Sequence, residues 1–153
     1  SDTLRGRRAM TMLPDLNVWF ALCIPQHVHH RSVLSWFMKA EHEKVVFCRS
    51  TQQGLLRLLT TRAITGPFGL VPFSNRQAIS RINAIMEDER IAFVEEPAHL
   101  WEQWLHFADS RHASPKLWMD AHLAAFAHSG GYQLVTLDKA FKQFKGLRLE
   151  LLS

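Results

Sequence analysis

The sequence predicts a three-layer α/β/α domain around a central, mostly parallel sheet. Short apolar runs of strand length alternate with helix-period stretches along the whole chain. No repeat, low-complexity tract or Pro/Gly/Ser-rich linker interrupts that alternation. Of the 153 residues, 47% are hydrophobic and 21% charged, which supplies one core and excludes collagen-like, disordered and multidomain readings.

Strands are expected at residues 11–16 (TMLPDL), 45–48 (VVFC), 91–94 (IAFV), 133–137 (QLVTL) and 147–152 (LRLELL). Between them, residues 29–41 carry Val33, Leu34, Trp36 and Phe37 at helical spacing, and residues 51–60 place Leu55, Leu58 and Leu59 on one side. A helix over 74–86 opens with Ser74 as N-cap, and one over 97–108 has Pro97 where a first helical turn accepts it. Residues 116–128 (KLWMDAHLAAFAH) are apolar almost all round, as in a buried helix, and Gly130 and Gly131 stop it. Strands alternating with helices imply a parallel sheet covered on both faces. Ligands then bind beyond the carboxyl ends of the strands, where the strand order reverses.

The formal charge of +4 and pI of 9.4 favour a polyanionic partner only weakly. Residues 1–9 hold Arg5, Arg7 and Arg8 against Asp2, so +2 of the +4 lies there. With Met10 or Met12 as initiator, residues 1–9 read as a flexible N-terminal extension or expression remnant, and residues 10–153 as the single folded domain. No apolar run approaches a membrane span, and no apolar segment follows the arginines as in a signal peptide. A cytoplasmic protein is expected. Cys23 and Cys48 have neither disulfide-framework nor zinc spacing and are expected to be buried thiols.

Most of the 14 acids fall in polar clusters such as EHEK (41–44) and EDER (87–90). Three do not: Asp15 (LPDLN), Asp120 (LWMDAH) and Asp138 (VTLDKA) each follow apolar residues expected to be buried. A carboxylate there needs compensation. Asp15 and Asp138 end predicted parallel strands, and Asp120 lies in the first turns of the buried helix, so all three can meet at one edge. Like charges brought together raise one another's pKa unless a cation sits between them. Oxygen ligation without a Cys/His set selects a hard ion, Mg²⁺ or Mn²⁺. Each acid also has a plainer reading: Asp15 as a turn residue, Asp120 as a complement to a helix N-terminus, Asp138 as an N-cap.

Asn17 and Thr136 stand two residues from Asp15 and Asp138 and are placed to orient them, although an Asx turn and ordinary β-propensity explain each alone. Gln52 faces the same edge, as an orienting group or a helix-start residue. Arg57, Arg49 and Lys139 are candidate phosphate contacts or plain surface cations. HVHH (27–30) lacks the partners of a zinc site and reads as a loop or helix start. His122 projects to a different side of the helix from Asp120. The five tryptophans are expected in the core or a dimer face.

The segments 13–30 (LPDLNVWFALCIPQHVHH), 48–60 (CRSTQQGLLRLLT), 115–141 (PKLWMDAHLAAFAHSGGYQLVTLDKAF) and 146–152 (GLRLELL) resemble the PIN-domain ribonuclease toxins of the VapC type, from toxin–antitoxin pairs. An early DxN, a late DAxLAA and a strand-ending TxD occur in the family's order. The resemblance implies a PIN-like nuclease domain over 10–153. It further implies an acidic cluster binding Mg²⁺ or Mn²⁺, an RNA substrate with a tRNA loop as the family-level expectation, and a cognate antitoxin covering the site. Asp15, Asp120 and Asp138 match the family's acids, and Asn17 and Thr136 its polar companions. One departure stands out: where many members carry glutamate in T-E-x-G-x-x-R, this chain reads Thr51-Gln52-Gln53-Gly54-Leu55-Leu56-Arg57. The expected activity is metal-dependent endoribonuclease, in a homodimer that also binds antitoxin.

Two competing classes remain. A phosphoaspartate enzyme of the haloacid-dehalogenase kind also places an aspartate after its first strand, but Asn17 stands where it needs a second acid. A catalytically weak module that only binds antitoxin or RNA is kept open by Gln52. Metal-dependent RNA cleavage without a phosphoenzyme separates the three.

Overall fold

The computed structural model describes residues 10–153. The extension expected at 1–9 lies outside the described residues. Five strands, β1 (Thr11–Pro14), β2 (Lys44–Phe47), β3 (Ile91–Phe93), β4 (Gln133–Thr136) and β5 (Leu149–Leu151), form one sheet in the order β3-β2-β1-β4-β5. Every pairing is parallel. Seven α-helices accompany them among the described residues: α1 (Leu16–Cys23), α2 (His30–Lys39), α3 (Arg49–Leu59), α4 (Arg62–Thr65), α5 (Asn75–Met86), α6 (Leu100–Ala108) and α7 (Leu117–Gly130).

Side chains alternate across a strand, so the sheet supplies two cores. Met12, Val45, Phe47 and Val135 face a cluster with Trp19 and Phe20 of α1, Trp36 of α2, Leu55 of α3 and Ile82 of α5. Leu13, Val46 and Leu134 face the opposite cluster, with Leu100 of α6 and Ala121, Ala124 and Phe126 of α7. This is the expected α/β/α layering. Cys23 and Cys48 are buried free thiols, as expected.

Several boundaries differ from the sequence reading, each for a local reason. The strand expected at 11–16 stops at Pro14, and the chain turns at once into α1, which was not anticipated because LNVWFALC has no polar face to give a helical period. Pro97 lies outside α6: His99 takes a left-handed conformation (φ 64°) and the helix begins at Leu100. Gly130 is the last residue of α7, and Gly131 (φ 70°) is its left-handed cap. Trp19 and Trp36 are core residues, whereas Trp101 and Trp118 are exposed.

Two features position the site. The order reverses between β1 and β4, which puts a crevice at their carboxyl ends. β1 pairs with β2 only at Thr11 and Met12 but with β4 as far as Pro14, so the sheet opens beside Pro14, which has no N–H to donate. On the other side of α1, Gly54 of α3 admits Leu16: a Cβ there would lie 2.7 Å from Leu16 Cδ2.

The Trp19 ring is 1% exposed and stacks on Phe47 at 3.8 Å between centroids. Trp19→Ala is expected to cost about 3–5 kcal/mol, by the usual toll of emptying an aromatic core site. Urea denaturation of the two proteins measures it.

Candidate active site

Asp15 is the hinge between β1 and α1. Its N–H donates to Val135 O of β4 at 2.8 Å, extending the β1–β4 ladder by one bond. As N-cap, its Oδ1 accepts from the N–H groups of Asn17 (2.8 Å) and Val18 (3.2 Å), two of the donors a helix start leaves unpaired. The Thr136 hydroxyl donates to its Oδ2 and in turn accepts the N–H of Asp138 at 3.0 Å. Register explains the pairing: Pro14 lies opposite Val135, so Asp15 and Thr136 are next in line.

Asp138 follows β4 and caps the short 3₁₀ turn Lys139–Gln143, its Oδ1 accepting the Ala140 N–H at 2.9 Å. Asp120 stands in the first turn of α7. The N-cap and helix-start readings of these acids therefore hold, and they hold together with convergence. Asp15, Asp120 and Asp138 line one cavity of about 380 Å³, with Asn17, Ser50 and His122 among its other walls.

Burial raises Asp15 from 3.8 to about 6, against the pull of the Thr136, Val18 and Asn17 hydrogen bonds, and the Asp138 charge adds to the rise. Asp120 is also raised, first by burial and then by Asp138. Asp15 and Asp120, each raised by burial and by the Asp138 charge, stand with neutral oxygens beside them, an all-oxygen donor set of the kind a hard cation takes. Among the described residues no three His, Cys, Asp or Glu side chains are grouped, as they stand, to hold a metal ion.

Not every candidate reaches the cavity. Thr136 is fully buried behind Asp15. Gln52 is absent from the lining: its Oε1 accepts from Arg49 Nη1 at 2.8 Å, and the Arg49 guanidinium lies 4.5 Å from the centroid of the Phe93 ring. Ser50 and Thr51 face the cavity instead. Arg57 and Lys139 are exposed on α3 and beside Asp138. The HVHH segment is indeed a helix start: His29 is the N-cap of α2, His30 Nδ1 donates to Ala21 O at 2.8 Å, and His27 stacks on Phe68.

The reading of His122 is corrected. It lines the cavity despite its offset from Asp120, packing edge-on to Trp104 at 4.9 Å, and burial lowers its pKa. Trp104 and Trp118 were also missed as site residues. The available signal was two bulky residues, Trp118 and Met119, directly before Asp120 on a helix otherwise rich in alanine.

The raised Asp15 pKa has a thermodynamic consequence. An acid whose folded pKa exceeds its unfolded value contributes stability in full below the unfolded pKa, about pH 4, and that contribution is lost as pH rises through about 6. About two units correspond to about 3 kcal/mol. In metal-free buffer the protein is therefore expected to lose up to that amount between pH 4 and 7, and Asp15→Asn to flatten the slope. Denaturant melts across this range read it directly.

Comparison with known proteins agrees with this geometry. The PIN domain family matches residues 12–147. Ribonuclease VapC41 of Mycobacterium tuberculosis is 46% identical over 144 residues, covering 93% of this chain and 99% of that protein. The fold is shared with VapBC2 of Rickettsia felis bound to a promoter DNA fragment (TM-score 0.65, 14% identity, 94% of this chain and 100% of that one). It is shared also with the sarcin-ricin-loop-cleaving toxin VapC20 of M. tuberculosis (TM-score 0.57, 22% identity, 86% and 92%). A family match running from within β1 to just short of β5, and 46% identity to a VapC ribonuclease over nearly its whole length, lead to one assignment: the chain belongs to the PIN domain family, in the branch of the VapC ribonucleases.

Proposed function

We propose that this protein is a Mg²⁺-dependent endoribonuclease, the toxin of a toxin–antitoxin pair, which cleaves structured or single-stranded loop RNA. The observation that carries the proposal is the convergence of Asp15, Asp120 and Asp138, from three separate elements, on one cavity where burial and the Asp138 charge raise the pKa of the other two. That arrangement costs stability and has a use when a cation neutralises it. The RNA substrate rests on the 46% identity to a named ribonuclease.

The three aspartates are the proposed ligands, and the all-oxygen set suits Mg²⁺ or Mn²⁺. When bound, the ion supplies Lewis acidity toward the phosphodiester and toward water. The chain's own residues do the positioning. The Asn17 and Val18 amides and the Thr136 hydroxyl fix both oxygens of Asp15, while the Ala140 amide fixes one oxygen of Asp138 and leaves the other free. The walls at Leu16, Trp104, Leu123 and Phe141 limit water around the carboxylates. Arg57 and Lys139 are the proposed backbone contacts. Arg49, held by Gln52 and Phe93, is the third.

A cognate antitoxin is the proposed partner, supported by the VapBC assemblies among the similar structures. A basic side chain, best an arginine able to pair bidentately with a carboxylate, would plug the cavity. A homodimer is proposed as the working form. No helix among the described residues is long and apolar enough to cross a membrane. A cytoplasmic site of action is part of the proposal.

Sequencing RNA ends after induction of the wild type beside Asp15→Asn tests activity and reveals the target together. On that RNA, Asp15→Asn, Asp120→Asn and Asp138→Asn are each expected to lower the Mg²⁺-dependent rate by roughly 100-fold or more. Full activity in two of the three overturns the site. Because Gln52 turns toward Arg49, Gln52→Ala is expected to fall below the roughly 10- to 100-fold loss of a side chain that directly orients a ligand. Single-turnover rates at saturating Mg²⁺ measure both.

A further inference from the structure

Trp118 is 51% exposed, in the first turn of a helix whose middle, Leu123 to Ala127, is buried. It lines two cavities. One is the acidic cavity; the other is a larger one of about 850 Å³, lined by His106, Ser110, His112 and Ser114 among others. The position is braced. Trp104 Nε1 donates to the Trp118 carbonyl at 2.9 Å, and the two rings meet at 90° with centroids 6.4 Å apart. Trp101, 62% exposed, stands perpendicular to Trp104 on the next turn of α6.

We propose that Trp118 is a base-stacking platform that holds the nucleotide next to the scissile phosphate out of any helical stack, with the adjoining cavity receiving it. The inference rests on the nuclease reading and names the substrate feature that the site selects: an unpaired or extruded base. The acidic cavity repels a phosphodiester, and the proposed backbone contacts Arg57, Arg49 and Lys139 lie on α3 and beside Asp138, so the α6–α7 side of the site needs its own source of affinity. The loop from α6 to α7 brings Arg111 and Lys116 but also Asp109, and Glu102 lines the same cavity, which leaves little net charge to attract a polyanion. An exposed, braced indole supplies what charge does not, since every base has a π-face and stacking tolerates sequence. Hydroxyls and imidazoles in the second cavity provide donors and acceptors for sugar and base edges. Continuity with the acidic cavity favours RNA over a protein surface as the occupant.

The test measures binding by the full chain of a fluorescein-labelled 12-nucleotide RNA of randomised sequence, and of a duplex of equal length, in EDTA and again in Ca²⁺. Trp118→Ala and Trp118→Leu are expected to weaken single-strand binding by roughly 5- to 150-fold, the worth of one base–aromatic stack. Trp118→Phe should restore most of it, and duplex affinity should not move. Trp118→Leu keeps apolar bulk without an aromatic face, so it separates stacking from packing if the alanine variant folds poorly. Unchanged single-strand affinity in both conditions overturns the proposal. So does a change of oligomeric state or of antitoxin affinity with RNA binding intact, which would make the indole a protein contact. If the wild type cleaves no RNA yet Trp118-dependent binding persists, the nuclease reading fails and only the stacking role of Trp118 stands, without a scissile phosphate beside it; cleavage with a Trp118-independent KM overturns the stacking role and leaves the nuclease reading intact.

Discussion

Asp15 joins the sheet, the first helix and the acidic site through one carboxylate. Its N–H continues the β1–β4 ladder, one oxygen caps α1, and the other takes the hydroxyl of Thr136. Thr136 then fixes the backbone of Asp138. The geometry of two of the three acids is therefore a consequence of strand register, because Pro14 opposite Val135 leaves Asp15 and Thr136 side by side. A slip of one residue would turn every side chain of β1 to the other face and dissolve the arrangement.

That carboxylate is also the place where fold and function oppose each other. Three hydrogen bonds favour its ionised form, yet burial outweighs them and keeps its pKa at about 6. Asp138 acts against both neighbours. The surrounding structure tolerates this because each face of the sheet carries its own core: Trp19 on Phe47 fills one, and the alanine-rich middle of α7 lies on the sheet in the other. A site that carries unfavourable charge needs a scaffold whose stability comes from elsewhere.

Much of the plan was legible in the chain. Asp15, Asp120 and Asp138 stand out because each interrupts an apolar run, whereas the other acids cluster on polar faces. Asn17 is legible as a neighbour in the same turn. Gln52 was misplaced toward the edge because its sequence neighbours Ser50 and Thr51 do face the cavity; an arginine three residues earlier draws its carboxamide away. His122 and Trp104 were invisible as site residues because cavity walls depend on how α6 lies across α7, a packing relation between segments that neither periodicity nor spacing encodes.

The amino-acid sequence by itself determined the alternation of strands and helices, hence a parallel sheet with both faces covered, and marked three acids at its carboxyl edge. Local chemistry suffices for that: apolar periodicity, capping and the cost of a lone buried charge. Only the tertiary structure decided the strand order β3-β2-β1-β4-β5, and with it the crevice between β1 and β4. It also decided that Thr136 rather than Gln52 braces the acids, and that one tryptophan, Trp118, lines two cavities. The β1–β4 pairing behind that crevice joins residues more than a hundred positions apart, Asp15 and Thr136 among their neighbours, and such contacts exist only once the chain has closed on itself.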